Sequence, residues 1–379
     1  MSTPTLRTAV VGLLQGLENV YTTLNHPRYE LVAVCDINRR PWEWLTGERN
    51  IEDEGPEAAI HSHHVQWTRD SREHPDFAAV EYIQDFQAVL DRDDIDAVIL
   101  ILPDVLHRDY AVAALNAGKF VLSTKPMAVT LEEGFEIAEA ARAHPNHFLL
   151  GYQLTYSPFT LNLLEIIASG EIGTPRILRF DFHRAPWRPV HQKKYDDVDG
   201  AMVKEGGHWL DFFYRLSGEL PWRSISAFAG LDKPENKFEF EDNGVVIIDY
   251  DGFRAAHTFS YFRSPRTSAE DFLLVGERGS IRGTFSEFTV ESESGMREVV
   301  VGPDILPDQY HEGYYEMHDA FAAMALDDTP PYTGWQTSLE NMLTSYASQI
   351  AVAEGRTVSR SEFADVDWRI RYAPQADKG

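Results

Sequence analysis

Two short stretches of this chain carry residue types able to move a proton. The first is Thr124-Lys125-Pro126, at the end of the apolar run Phe120-Val-Leu. A lysine held at such a strand end is placed where an open parallel sheet meets its ligands. The second is Lys204-Glu205-Gly-Gly-His208-Trp-Leu-Asp211. On a helix, positions 204, 208 and 211 share a face, and Glu205 lies three residues before the histidine. Imidazole titrates near neutrality and suits general acid–base work on an alcohol. An ammonium at Lys204 would disfavour the imidazolium and keep His208 ready to accept a proton. Lys125 and His208 are therefore the first candidates for catalysis, with Lys204 tuning the histidine. The competing reading of 204–211 is a helix start that merely packs.

Near the N-terminus, Gly12-Leu13-Leu14-Gln15-Gly16 follows an apolar strand, and a second strand ends in Cys35-Asp36. A dinucleotide loop of the Gly-x-Gly-x-x-Gly type would also want glycine at 14 and 17. Only Gly12 matches; Leu14 brings a side chain toward the pyrophosphate position, and Gly16 is out of register. Asp36 can accept both ribose hydroxyls of an adenosine and would repel a 2′-phosphate, whereas Arg39 and Arg40 would tolerate one. NAD is expected, with NADP as the alternative. Asp36 could equally cap the helix that follows.

These residues need strands to hold them. Leu6–Gly12, Tyr29–Asp36, Ala97–Leu102, Phe120–Leu122 and His147–Gly151 read as buried strands, separated by helix-length segments. Leu131–Ala143 reads as an amphipathic helix. In an open parallel sheet, ligands sit outside the strands' carboxyl ends, where Leu102-Pro103, His107 and Lys125 fall. Residues 46–75, polar and rich in Glu, Asp and His, read as a surface insertion or lid. His61, His63 and His64 within it resemble a metal clip but fit a solvated loop better, so no metal site is expected. After Tyr152 the texture changes. Helix 159–169 and strand 176–183 lead into alternating segments from Ser224 to Val301, an antiparallel pattern. Helices return at 316–325 and 337–353. The fold class is α/β: a Rossmann domain with a doubly wound parallel sheet, then an α+β domain with a large open, mainly antiparallel sheet. The division is drawn at residues 1–126 and 127–379.

With 379 residues, 43% apolar and 12% aromatic, the chain can build two cores. Its net charge of −26 argues against nucleic acid or an anionic membrane as partner. A single cysteine excludes a disulfide framework. The opening Met-Ser-Thr-Pro-Thr-Leu-Arg lacks the layout of a signal peptide, and no apolar run is long enough to span a bilayer. The expectation is a cytoplasmic protein. Nothing supports nucleophilic hydrolysis: there is no Gly-x-Ser-x-Gly run, and Cys35 falls within a strand.

Taken together, these motifs resemble the glucose–fructose oxidoreductase/inositol dehydrogenase/MocA-like (Gfo/Idh/MocA) family of sugar and cyclitol oxidoreductases. The resemblance runs through the Gly12 loop, Cys35-Asp36, Leu102-Pro103 with His107, Ala117-Gly118-Lys119, Thr124-Lys125-Pro126, Gly151-Tyr152, Gly170–Gly173 and Gly200–Asp211. It implies hydride transfer between nicotinamide and a secondary hydroxyl or ketone of a sugar, sugar derivative or cyclitol. Lys125 would hydrogen-bond the reacting oxygen, and His208 would take the proton. The Gly12–Gly16 loop, Asp36, Arg40, Leu102, Pro103, His107, Thr124, Lys125 and Gln153 would meet the cofactor. Lys125, Gln153, Trp187, Arg188, Lys204, Glu205 and His208 would meet substrate, beside Asp181 and His183. The second sheet would bury its open face in a homodimer or homotetramer. The chain departs from the family pattern at Leu14, at Thr124 where a glutamate is usual, and at Lys204 where an aspartate is common. Redox-neutral use of bound NAD, or a non-catalytic sugar- or dinucleotide-binding regulator, are the alternatives.

Overall fold

The computed structural model describes residues 4–54, 64–183, 206–232, 241–261, 269–301 and 313–372. The chain divides into two compact units. One holds Met1–Gln153 with Asp304–Trp335, the other Leu154–Pro303 with Gln336–Gly379.

The first unit is built on six parallel strands, β1 (Leu6–Val11), β2 (Tyr29–Cys35), β3 (Glu81–Ile83), β4 (Ala97–Leu100), β5 (Phe120–Thr124) and β6 (Phe148–Gly151). They lie in the order β3-β2-β1-β4-β5-β6, the arrangement of a doubly wound dinucleotide fold. All four residues of β4 and of β6 are buried, as expected of strands covered on both faces. Between the strands run α1 (Leu17–Asn25), α2 (Arg40–Thr46), α3 (His64–Glu73), α4 (Phe86–Leu90), α5 (His107–Asn116) and α6 (Leu131–Ala143). At the start of α6, Thr130 accepts from Glu133 N–H while the Glu133 carboxylate accepts from Thr130 N–H. This reciprocal cap explains why the helix begins where the pattern places it.

Three expectations give way here. The first unit does not end at residue 126, because the strand expected at 147–151, β6, pairs with β5 from Val121↔Phe148 to Thr124↔Gly151 and carries the unit to Gln153. The unit also recruits a distant helix, α9 (Tyr314–Asp327). Its His318 Nε2 lies 3.1 Å from Asn19 Oδ1 of α1, and Tyr29 OH donates to His318 C=O at 2.8 Å. Finally, much of the expected insertion is folded. His64, Trp67, Thr68 and Ser71 form the buried face of α3, and Arg72 donates to Trp44 C=O (2.7 Å) and Leu45 C=O (3.1 Å).

The second unit carries nine strands, β7 (Pro175–His183), β8 (Trp222–Gly230), β9 (Asn243–Tyr250), β10 (Arg254–Ser260), β11 (Ala269–Gly276), β12 (Gly279–Gly283), β13 (Glu287–Ser292), β14 (Gly295–Val300) and β15 (Val358–Ser359). Their order is β14-β13-β12-β11-β7-β10-β9-β8-β15. Every pair is antiparallel except β7–β10. The helices are α7 (Pro158–Ser169), α8 (Gly206–Leu216), α10 (Trp335–Glu354) and the short α11 (Trp368–Arg371). One sheet face is aromatic and buried, with Phe180 5.6 Å from Phe213 of α8 and 5.1 Å from Trp209. The opposite face leaves Ile177, Val245, Ile247 and Phe228 exposed, Phe228 at 67%.

Candidate active site

The first unit gathers its candidates at the carboxyl ends of β1, β2, β4 and β5. Gly12 follows β1 with φ of +89°, and a Cβ there would stand 2.0 Å from the Ile101 carbonyl oxygen. No other residue fits. Gly16 caps α1, and its Cβ would stand 2.1 Å from Gly12 C=O. The glycine that looks out of register is thus required for the loop to close on itself. Leu13 is fully buried; Leu14 (38% exposed) and Gln15 face solvent. Asp36 Oδ2 accepts from Leu13 N–H at 2.7 Å and Oδ1 from Asn38 N–H at 2.8 Å. It therefore fixes the Gly12 loop as well as its own turn, while α2 starts at Arg40. Each carboxylate oxygen keeps a lone pair for a ribose hydroxyl. Arg40 is exposed, its guanidinium 5.7 Å from the Trp44 ring. Arg39 sits 3.6 Å from Glu48 and 5.2 Å from the Tyr82 ring.

At the end of β4, Leu102 and Pro103 are half-buried. His107 opens α5 and is fully buried, with Nδ1 2.6 Å from Pro126 C=O and Nε2 2.9 Å from Leu102 C=O. Both ring nitrogens face backbone carbonyls, so the side chain has a structural role in this loop cluster. Lys119, in the Ala-Gly-Lys motif, is likewise structural and donates to Arg92 C=O (2.7 Å) and Ile95 C=O (2.8 Å). Thr124 Oγ donates to Leu100 C=O at 3.3 Å. Lys125 is half-buried and leads into a cis bond to Pro126. Gln153 is 8% exposed, at the end of the first unit.

In the second unit His208 lies in the first turn of α8, half-buried. The backbone beside it is pinned: Asn341 Nδ2, on α10, donates to Gly207 C=O at 2.6 Å. One turn on, Asp211 is 1% exposed and accepts a short hydrogen bond from Thr155 Oγ. Burial pushes its carboxyl up from 3.8 to about 6, although the Arg215 charge and the Thr155 hydroxyl pull the other way. Nothing local in the sequence marks Asp211 as buried, since its partner is 56 positions away. Farther along, Glu340 (1% exposed) is held by Arg360, by Arg369 at 3.3 Å and by Trp368 Nε1 at 3.0 Å, and Arg369 donates to Tyr214 OH of α8 at 2.7 Å.

Trp187, Arg188, Lys204, Glu205, His61 and His63 lie outside the described residues. His64 is buried in α3 beside Trp67, ring centroids 5.7 Å apart. Asp181 and His183 sit on the outward face of β7, where Thr258 Oγ donates to Asp181 (2.5 Å) and His183 Nδ1 lies 2.8 Å from Ser260 Oγ. Among the described residues, no group of three or more His, Cys, Asp or Glu could hold a metal ion. No helix among them is long and apolar enough to cross a membrane.

Residues 6–152 match the model of an oxidoreductase family with an NAD-binding Rossmann fold, and residues 160–282 match the C-terminal domain of the GFO/IDH/MocA group. The chain is 31% identical over 181 residues to the uncharacterized oxidoreductase YrbE of Bacillus subtilis, covering 45% of this chain and 53% of that protein. It is 28% identical over 211 residues to an inositol 2-dehydrogenase of Salmonella typhimurium, covering 54% of each. The chain thus spans about half the length of the curated relatives it matches. Among solved structures, an Agrobacterium radiobacter oxidoreductase in complex with NAD+, L-tartaric acid and magnesium superposes with a TM-score of 0.77 at 17% identity. That match covers 94% of this chain and 99% of the other, a likeness of fold.

Proposed function

The chain belongs to the Gfo/Idh/MocA family of NAD-binding oxidoreductases, and on that premise we propose that it oxidises a secondary hydroxyl of a sugar, sugar derivative or cyclitol, or reduces the matching ketone. The supporting observation is the lysine's station. Lys125 directly follows β5, two strands from β1 and its Gly12 loop in the order β1-β4-β5. The residues present fit a dinucleotide: a positive-φ glycine after β1, a helix N-terminus behind it, and a carboxylate just after β2. The Gly12–Gly16 loop, Asp36, Leu102, Pro103, Thr124 and Gln153 would hold it. When bound, it supplies the nicotinamide carbon that exchanges hydride. Asp36 favours NAD, and Arg40 is where a 2′-phosphate would have to be accommodated.

In this reading the Lys125 ammonium donates to the reacting oxygen and stabilises the charge that grows there. His208 accepts the hydroxyl proton in oxidation and returns it in reduction. Lys204 tunes the histidine, while Gln153, Trp187, Arg188 and Glu205 orient the substrate. These roles rest on the family resemblance and the residue types. We also assign the outward face of the second sheet, with Ile177, Val245, Ile247 and Phe228, to an interface between copies of the chain. The single cysteine, Cys35, free and buried in β2, is the residue behind the further proposal of a cytoplasmic setting.

The test is a titration with NADH and NADPH followed by nicotinamide fluorescence, then a screen of cyclitols and sugars for NADH formation. Saturable NADH binding with substrate-dependent reduction is the expected result. A folded protein that binds neither nucleotide overturns the hydride mechanism. Product formation at constant NADH would reassign the chain to redox-neutral chemistry.

A further inference from the structure

The His107 ring bridges two loops that meet at the carboxyl ends of β4 and β5. Its Nδ1 lies 2.6 Å from the carbonyl of Pro126, the residue after Lys125, and its Nε2 lies 2.9 Å from the carbonyl of Leu102. The ring is fully buried, so water does not compete for either contact. Carbonyl oxygens only accept; whichever ring nitrogen carries a proton therefore donates it to one of these two loops. The neighbouring backbone continues the connection. Ile101 N–H donates to Val11 C=O at 2.8 Å, and the Ile101 carbonyl is the atom that excludes any side chain at Gly12. Three loops thus meet here, the Gly12 loop, Leu102-Pro103 and Lys125-Pro126, with the His107 ring between the last two and its neutral form donating to one of them.

We propose that His107 is a positioning residue, a latch that fixes the Lys125 backbone against the end of β4 and so sets where the lysine ammonium points. The inference rests on the reading of Lys125 as the oxygen-polarising group. Neither phenylalanine nor leucine could do this work at position 107, because both fill the space but donate nothing. A glutamine amide can still donate to one carbonyl, so it should restore part of the function.

The experiment compares wild type, His107→Phe and His107→Gln in two measurements. One is NADH affinity by fluorescence titration. The other is the acetylation rate of Lys125 by dilute acetic anhydride, read by peptide mass spectrometry against the other lysines. A misplacement of about 1 Å can cost about 100-fold in a positioned reaction. His107→Phe is expected to weaken NADH at least tenfold and to change the relative Lys125 acetylation at least threefold, with His107→Gln between it and wild type. Unchanged affinity and unchanged Lys125 reactivity in both folded variants would overturn the latch. If His107→Phe does not fold, His107→Gln decides on the same two readings. If wild type binds no NADH, the proposed function fails, and the acetylation comparison still judges the latch.

Discussion

The two units hold their leading candidates by different means. Lys125 is seated by backbone: a strand end, a neighbouring loop and the His107 ring between two carbonyls. His208 rides on a helix held by side chains, with Asn341 on the carbonyl before it, Asp211 reaching Thr155, and Tyr214 tied through Arg369 to the buried Glu340. Backbone seating depends little on charge. Side-chain seating places ionised groups out of water, where losing a partner is costly. The lysine's seat should therefore tolerate substitution of nearby charged side chains that the histidine's helix does not.

The largest effect that would sharpen this contrast is on turnover. If Lys125 holds the proposed role, Lys125→Ala should lower kcat by on the order of 10²–10⁴ while NADH affinity stays within a few-fold, because the backbone seat remains. Steady-state kinetics with a parallel NADH titration checks it, and retained turnover removes Lys125 from the mechanism. Next is the ionic hub. Glu340→Gln takes a countercharge from the half-buried Arg360 and Arg369, with Asp367 still facing Arg360, and should cost about 3 kcal/mol, seen as a lowered Tm with the loss of hydrogen-exchange protection concentrated in α8 and α11. Protection lost evenly across both units would break the comparison.

Titration of buried groups separates the units at a similar or smaller scale. In the first unit, burial lowers His26 to about 4 and His318 to about 3. Their contribution is complete above pH 6.5 and is lost as pH falls toward 4, each tenfold change in proton affinity being worth about 1.4 kcal/mol. In the second unit, Asp211 runs the other way: its raised carboxyl favours the fold below pH 3.8, and that advantage disappears as pH rises to about 6. His257, lowered by burial to about 4, offsets it. Hydrogen exchange between pH 7 and 5 should therefore show α1 and α9 losing protection before α8. Asp211→Asn should raise the stability of the second unit at pH 7 relative to pH 4 and flatten its pH dependence between those values. The smallest effect is at the Gly12 loop. Leu14 is 38% exposed and not part of the core, so Leu14→Gly should tighten NADH only a few-fold, whereas a large change would mean that the loop rearranges on binding.

Much of this architecture is legible in the residues. Continuous apolar runs mark β1, β2, β4, β5 and β6, and Thr130 with Glu133 announces α6. Gly12 and Asp36 also mark themselves, since a glycine after one strand and a carboxylate after the next is a local pattern. The helix α3 is harder to see although His64, Trp67, Thr68 and Ser71 carry helical spacing, because three of those four residues are polar and the segment reads as solvated. Gly16 hides for a related reason: the dinucleotide template asks for glycine at other positions, while the carbonyl of Gly12 forbids a side chain at this one.

What the sequence alone determined is the class of fold, the family, and the short list headed by Lys125 and His208, because strand runs, helix caps and glycine-dependent loops are set by neighbours a few positions apart. The tertiary structure decided the rest. It extended the first unit through β6 and added α9 from far along the chain. It also set the His107 ring between the carbonyls of Leu102 and Pro126 and buried Asp211 against Thr155. Each of these is a pairing between distant residues, and burial changes what a polar side chain does once water no longer competes for it.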